Sequence, residues 1–148
     1  MNTPETLTKP AAAPASLAAP GLQPTPAGKP IIYACSGCSD AGELADRIAR
    51  ELTRAGVGQM SCLAGIGGRV KSLMIKGEKA ERILVIDGCP LNCARHTLAL
   101  AGFNQFDHLE LHQIGFRKGS CPVNEERIAT GVEAAKAVIA TSRGLKQG

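Results

Sequence analysis

The 148-residue chain has no tryptophan, one tyrosine and three phenylalanines, so it lacks the aromatic platforms on which single-stranded nucleic acid stacks. Its lysines and arginines are interspersed with acids. Net charge is only +4 at pH 7, and no dense basic patch suggests a phosphate-backbone partner. No run of about 18 apolar residues occurs, which excludes an ordinary transmembrane helix. An export signal is not expected either. Lys9 precedes Ala11–Ala19, but Pro10, Pro14 and Pro20 break that stretch, Leu17 is its one bulky residue, and Glu5 sits where a positive start belongs.

Residues 1–30 hold seven of the nine prolines and seven alanines. Such a segment has little apolar bulk to bury, so it is expected to be a disordered tail, extended enough for a tether. Removing it takes away Glu5, Lys9 and Lys29 and leaves residues 31–148 at net +3. That is one domain of ordinary length. All six cysteines lie inside it. A cytoplasmic location is expected for a chain without an export signal, and there six cysteines are ligands, redox groups or buried thiols rather than a disulfide framework.

From Ile31 onward apolar runs alternate with helical patterns. Ile31–Cys35 reads as a buried strand. Asp40 with Glu43 reads as a capping box, followed by Leu44, Ile48 and Leu52 at helical spacing, with Ala55-Gly56 as the stop. Val57–Leu63 is a second strand candidate, followed by a glycine-rich stretch, 64–68, and a short helix from Arg69 to Lys76. Ile83–Ile86 is apolar on both faces, as in the middle of a parallel sheet. Pro90 fits the first position of a helix running to Ala101. Leu109–Ile114 is a weaker fourth strand, and Asn124 can cap a last helix over Glu125–Ser142. The alternation predicts an α/β domain of three layers with a mainly parallel four-stranded sheet, in the order 2-1-3-4.

Each cysteine then falls at or beyond the carboxyl end of a strand: Cys35 and Cys38 after the first, Cys62 after the second, Cys89 and Cys93 after the third, and Cys121 after the fourth. Parallel strands bring those ends to one edge, so the thiols are expected to gather. Cys35-x2-Cys38 is a short loop that can aim two sulfurs at one ion. Cys89-x3-Cys93 spans a helix start, one turn apart on one face, where backbone N–H groups favour thiolates. Thiolates from three strand ends suit zinc, or alternatively an iron–sulfur cluster. The same geometry would also serve a thiol redox or sulfur-transfer protein with Cys89 or Cys38 as the reactive group. The candidate ligands are Cys35, Cys38, Cys62, Cys89 and Cys93; Cys121 is equally well read as a buried thiol.

Three stretches carry a resemblance: Cys35-Ser36-Gly37-Cys38-Ser39-Asp40, Met60-Ser61-Cys62-Leu63-Ala64-Gly65-Ile66-Gly67-Gly68 and Asp87-Gly88-Cys89-Pro90-Leu91-Asn92-Cys93-Ala94. Together they resemble the DGC-domain family, named for its Asp-Gly-Cys motif. The resemblance covers Ile31 to Phe103 well and implies zinc held by four chelating cysteines. Carried over, that set maps to Cys35, Cys62, Cys89 and Cys93, with Cys38 a fifth thiol. It implies a site without naming an activity.

Other constellations point less strongly to chemistry. Cys89 to Arg95 satisfies C-x5-R, the spacing of a phosphatase loop, but has no internal glycine, and Pro90 removes a donor that a phosphate would need. Gly65, Gly67 and Gly68 read as tight-turn glycines rather than a phosphate cradle. His96 follows Cys93 on the same helical face and reads as an exposed or hydrogen-bonded histidine before a ligand. His108, Glu110 and His112 alternate as a polar face on an edge strand, and Asp87 suffices as a helix cap.

Overall fold

The computed structural model describes residues 28–145; the Pro/Ala-rich stretch up to residue 27 lies outside them. Four parallel strands form one sheet: β1 (Ile31–Ala34), β2 (Gln59–Met60), β3 (Ile83–Asp87) and β4 (Asp107–Glu110), in the order β2-β1-β3-β4. This is the α/β architecture and the strand order expected from the alternation. Five helices connect and cover the strands: α1 (Asp40–Arg54), α2 (Leu63–Gly67), α3 (Lys71–Glu78), α4 (Cys93–Leu100) and α5 (Glu125–Leu145). A 3-10 turn, Leu111–Ile114, follows β4. Helices α1 and α5 pack together on one face, and α2 packs with α3 and α4 on the other. Among the described residues no helix is long and apolar enough to cross a membrane.

The central strands are apolar on both faces because both are covered. Ile31, Ile32, Tyr33, Leu84, Val85 and Ile86 are each wholly inaccessible to solvent. Leu44, Ile48 and Leu52, at the spacing read from sequence, bring α1 onto this sheet. At the α1–α5 crossing a Cβ on Gly131 would stand 2.1 Å from Ile48 Cδ1, so glycine sets how closely α5 approaches. Pro30, at the domain's edge, is buried, and its carbonyl accepts from the Gln59 N–H at 3.0 Å.

Several local expectations need correction. The α1 cap lies at Ser39, one residue earlier than expected: Ser39 Oγ accepts from the Gly42 N–H at 3.2 Å. This frees the Asp40 carboxylate to accept from the Gly119 and Cys121 N–H groups at 2.8 and 2.9 Å, tying α1 to the loop before α5. The second strand keeps only Gln59–Met60, and Leu63–Gly67 is helical rather than a string of tight turns. Gly65 lets α3 pack closely here, since a Cβ would fall 2.0 Å from Leu73 Cδ1 and force that side chain to turn aside. Helix α4 begins at Cys93, not Pro90, since Asn92 takes the left-handed conformation (φ +48) and starts the helix from there. Strand β4 begins two residues before the expected Leu109 and stops at Glu110, after which the chain tightens into the 3-10 turn and leaves it at Gly115 (φ +93).

Candidate functional site

The carboxyl end of β3 is the organising point of the rim. Asp87 is fully buried, and its carboxylate accepts from the N–H groups of Ala94 (2.8 Å) and Arg95 (3.0 Å), which are orphan donors of the first turn of α4. Its Oδ2 also pairs with His108 Nε2 at 3.0 Å. Burial pushes the Asp87 carboxyl upward, but the bonds from His108, Ala94 and Arg95 outweigh it and hold the group below its ordinary value. Gly88 runs against the start of α1, where a Cβ would meet Ala41 O at 2.3 Å. Its N–H donates to Cys35 Sγ at 3.0 Å, joining β1's end to β3's end. Cys89 follows, half-buried, in a turn closed by Asn92 N–H to Cys89 O at 3.1 Å.

The five candidate ligands are treated differently by this framework. The buried Cys35 thiol is pushed up to about 12: loss of hydration raises it most, the Gly88 N–H lowers it, and the charges of Asp87, Cys89 and Cys93 raise it further. Cys35, Cys89 and Cys93 are therefore near enough for their charges to couple. Cys93, exposed, is the first residue of α4, so it and Cys89 are separated by a turn rather than standing one helical turn apart on a shared face. Cys62 is exposed, and its Sγ caps α2 by accepting from the Gly65 N–H at 3.4 Å. Cys38 is exposed on the bend before α1. All five thiols are unpaired by disulfide, and so is Cys121. Among the described residues no three His, Cys, Asp or Glu side chains already stand in the arrangement of an ion's ligands.

Residues 31–141 match the DGC domain. The chain belongs to the DGC-domain family. It is also 43% identical, over 89 residues, to the "Anaerobic and virulence modulator AnvM" of Pseudomonas aeruginosa, an alignment covering 60% of this chain and 68% of that protein. No solved structure matches the chain.

Within this DGC domain, the motif's aspartate connects to a polar chain that sequence reasoning placed on a solvated edge. His108 pairs with Asp87; its Nδ1 lies 3.6 Å from Glu110 Oε1, and Glu110 Oε2 lies 3.4 Å from His112 Nε2 and accepts from Asn92 Nδ2 at 3.2 Å. These side chains are mostly buried: His108 is 16% exposed, so this face of β4 turns inward. The signal available in sequence was the alternation itself. Its partner Asp87 lies 21 residues away, and no local pattern reports that pairing.

The remaining readings resolve against the same geometry. The α4 N–H groups that a C-x5-R phosphate loop would offer are taken by Asp87, so the stretch is not an anion cradle. His96 is exposed, as expected. Cys121 is buried against the start of α1, its N–H donating to Asp40 Oδ2 at 2.9 Å; burial and that carboxylate raise the pKa of its thiol. A cleft of about 690 Å³ opens between the ends of β1 and β2, with Ser36, Met60, Cys62 and Leu63 among its walls and the Asp46–Arg50 ion pair at its rim.

Proposed function

We propose that this DGC domain is a thiol-based metal-responsive module that takes up zinc through Cys35, Cys89 and Cys93, with Cys38 as the fourth ligand. The observation that carries the reading is the Gly88 turn, whose N–H donates to Cys35 Sγ at 3.0 Å, with Cys89 next in the chain and Cys93 opening α4 just beyond. A thiolate at Cys89 or Cys93 opposes one at Cys35, and burial opposes the Cys35 thiolate further. A divalent cation reverses that balance, because it stabilises the deprotonated form of every sulfur around it. Soft thiolate donors suit zinc. Because the donors do not yet stand as a finished ligand set, uptake requires the loop over residues 36–39 and the turn over residues 89–92 to close together. When bound, the ion supplies a cross-link between β1, β3 and α4.

Uptake releases protons, so affinity falls as pH drops. Zinc is preferred to an iron–sulfur cluster because three of the thiols sit around a single tight turn, where one ion fits more simply than a cluster. A modulator's role, rather than an enzyme's, is supported by the name of the 43% identical relative. Six free thiols suit a reducing compartment such as the cytoplasm.

The test is zinc titration of the reduced full chain against a competing chromophoric chelator, with elemental analysis. About one zinc per chain is expected. Cys35→Ser, Cys89→Ser and Cys93→Ser should each weaken binding by at least tenfold, while Cys62→Ser and Cys121→Ser should not. Equal affinity across all five variants, or no binding at micromolar zinc, would overturn the proposal. Stoichiometric iron with visible charge-transfer bands after anaerobic purification would replace it with the cluster.

A further inference from the structure

Asp87 and Glu110 are register partners at the carboxyl ends of β3 and β4, and His108 shares their face, two residues before Glu110. Its ring stands between the two carboxylates, 3.0 Å from Asp87 Oδ2 and 3.6 Å from Glu110 Oε1. Each carboxylate also holds one end of the turn that carries Cys89. Asp87 leads into the turn and caps α4 through the Ala94 and Arg95 N–H groups. At the far end, Glu110 Oε2 accepts from Asn92 Nδ2 at 3.2 Å.

Asn92 stands at the N-cap position of α4, yet its side chain makes no capping bond there. Asp87 does that work, which leaves the Asn92 amide to Glu110. The Asn92 backbone is left-handed, at φ +48, a conformation that asparagine visits more readily than most residues but that still needs support. Its N–H donates to Cys89 O at 3.1 Å, and its carbonyl accepts from the His96 N–H at 2.9 Å. One residue therefore closes the turn behind Cys89 and starts the helix at Cys93, and Glu110 ties it to β4. At the front of the turn, Gly88 is held against the α1 backbone and donates to Cys35 Sγ. Between these two anchors lie Cys89, Pro90 and Leu91.

We propose that Glu110 is a positioning residue for the thiol site. By holding Asn92 it confines the closing motion of the turn to residues 89–91, and so pre-organises Cys89 and Cys93 for a thiol-binding divalent cation. A turn anchored at both ends has less freedom to lose when it closes. Without Glu110, Asn92 leaves its left-handed conformation more readily and Cys89 opens toward solvent. The cation rests on the zinc reading above; the tether does not.

The test is timed alkylation of the reduced, metal-free full chain with mass-spectrometric readout and Cys62 as internal reference, followed by zinc titration of the same samples. Glu110→Ala should raise the Cys89 rate relative to Cys62 by about tenfold, the size expected when a hydrogen bond to a charged group is lost, and weaken zinc binding by a like factor. Glu110→Gln, whose amide oxygen still accepts from Asn92, should restore both to within about twofold of the parent. Asn92→Gly keeps the left-handed conformation open and alters no group at the strand end, so it carries the test even if Glu110→Ala fails to fold. It should match Glu110→Ala, and the double variant should go no further than either single one. A Cys89 rate within about twofold of the parent in Asn92→Gly would overturn the proposal. So would effects that add in the double variant, or zinc binding that tightens on release of the tether. A parent chain that takes up no zinc would sink the zinc reading alone, while the alkylation ratios would still decide the tether.

Discussion

Replacing Gly88 with alanine tests whether the motif's glycine is held by packing. An alanine Cβ at this position would stand 2.3 Å from Ala41 O, 2.5 Å from Ala41 C and 3.0 Å from Gly42 N. The closest of these is 0.7 Å inside the 3.0 Å below which real Cβ atoms essentially never approach. All three neighbours are backbone at the start of α1, so no side chain can rotate away. Either α1 or the 87–89 turn must move. Gly42 itself packs closely on the residue-37 backbone, where even an added Cβ would stand only 2.8 Å from Gly37 N, so α1 has little room to move that way. Displacing the turn stretches the Gly88 N–H to Cys35 Sγ bond and the Asp87 bonds to α4. Overpacking of this kind costs about 1–3 kcal/mol, and a weakened buried hydrogen bond roughly another 1. At roughly 4 °C per kcal/mol for a domain of this size, Gly88→Ala should lower Tm by about 8–16 °C. Thermal and urea unfolding of the reduced chain, followed by circular dichroism, would measure it. A Tm within about 2 °C of the parent, with unchanged urea midpoint, would refute the packing argument.

Asp87→Ala should destabilise by about 2–4 kcal/mol, because it strands two N–H groups of α4 and the His108 ring around a buried site; urea unfolding reads this directly. Asp40 is held down to about 2, chiefly by the Gly119 N–H and then by the Cys121 N–H. Its contribution to stability is thus fully present above the ordinary carboxyl value and is lost as pH falls through about 2. Urea midpoints measured from pH 5 to pH 2 should show a part of the acid slope that is missing in Asp40→Asn; identical slopes would sink that assignment. Cys35, pushed up to about 12, should carry on the order of a thousandfold fewer thiolates near neutral pH than an ordinary cysteine. Alkylation with mass-spectrometric readout should modify exposed Cys38, Cys62 and Cys93 first and Cys35 far later; Cys35 reacting in the first phase would contradict its described burial.

Sequence patterns carried the parts of this fold in which local and global preferences agree. The doubly apolar Ile83–Ile86 run, the Leu44-Ile48-Leu52 stripe and the strand–helix alternation all found their places because burial on both faces and on one face leave different periods. Helix α2 was hidden because Gly65 serves a close tertiary contact with Leu73, while the local signal of glycine is that of turns. The α4 start was misplaced because its cap is Asp87, six residues before Cys93, across a turn that Asn92 makes with positive φ. Pro90 advertised an earlier start that this turn does not use. The inward aim of His108 followed from pairing β3 with β4, which places Val85 beside His108 and Asp87 beside Glu110. Nothing within either strand announces that register.

These observations separate the three letters of the Asp-Gly-Cys motif by the kind of constraint acting on each. The aspartate is a fully buried acceptor serving a helix start and a histidine, work that is complete without any ligand. The glycine is fixed by the backbone of α1 and donates to Cys35. Among the described residues the cysteine side chain makes no hydrogen bond, and it is half-buried where the other two hold it. A side chain that architecture leaves unemployed, set beside a buried thiol by two residues that architecture does employ, is where chemistry should be sought. Cys89→Ser should accordingly leave Tm within about 2 °C of the parent while removing metal uptake, whereas substitution of Asp87 or Gly88 should lose both together. Stability and binding falling in step for Cys89→Ser would mean that the third letter, too, belongs to the scaffold.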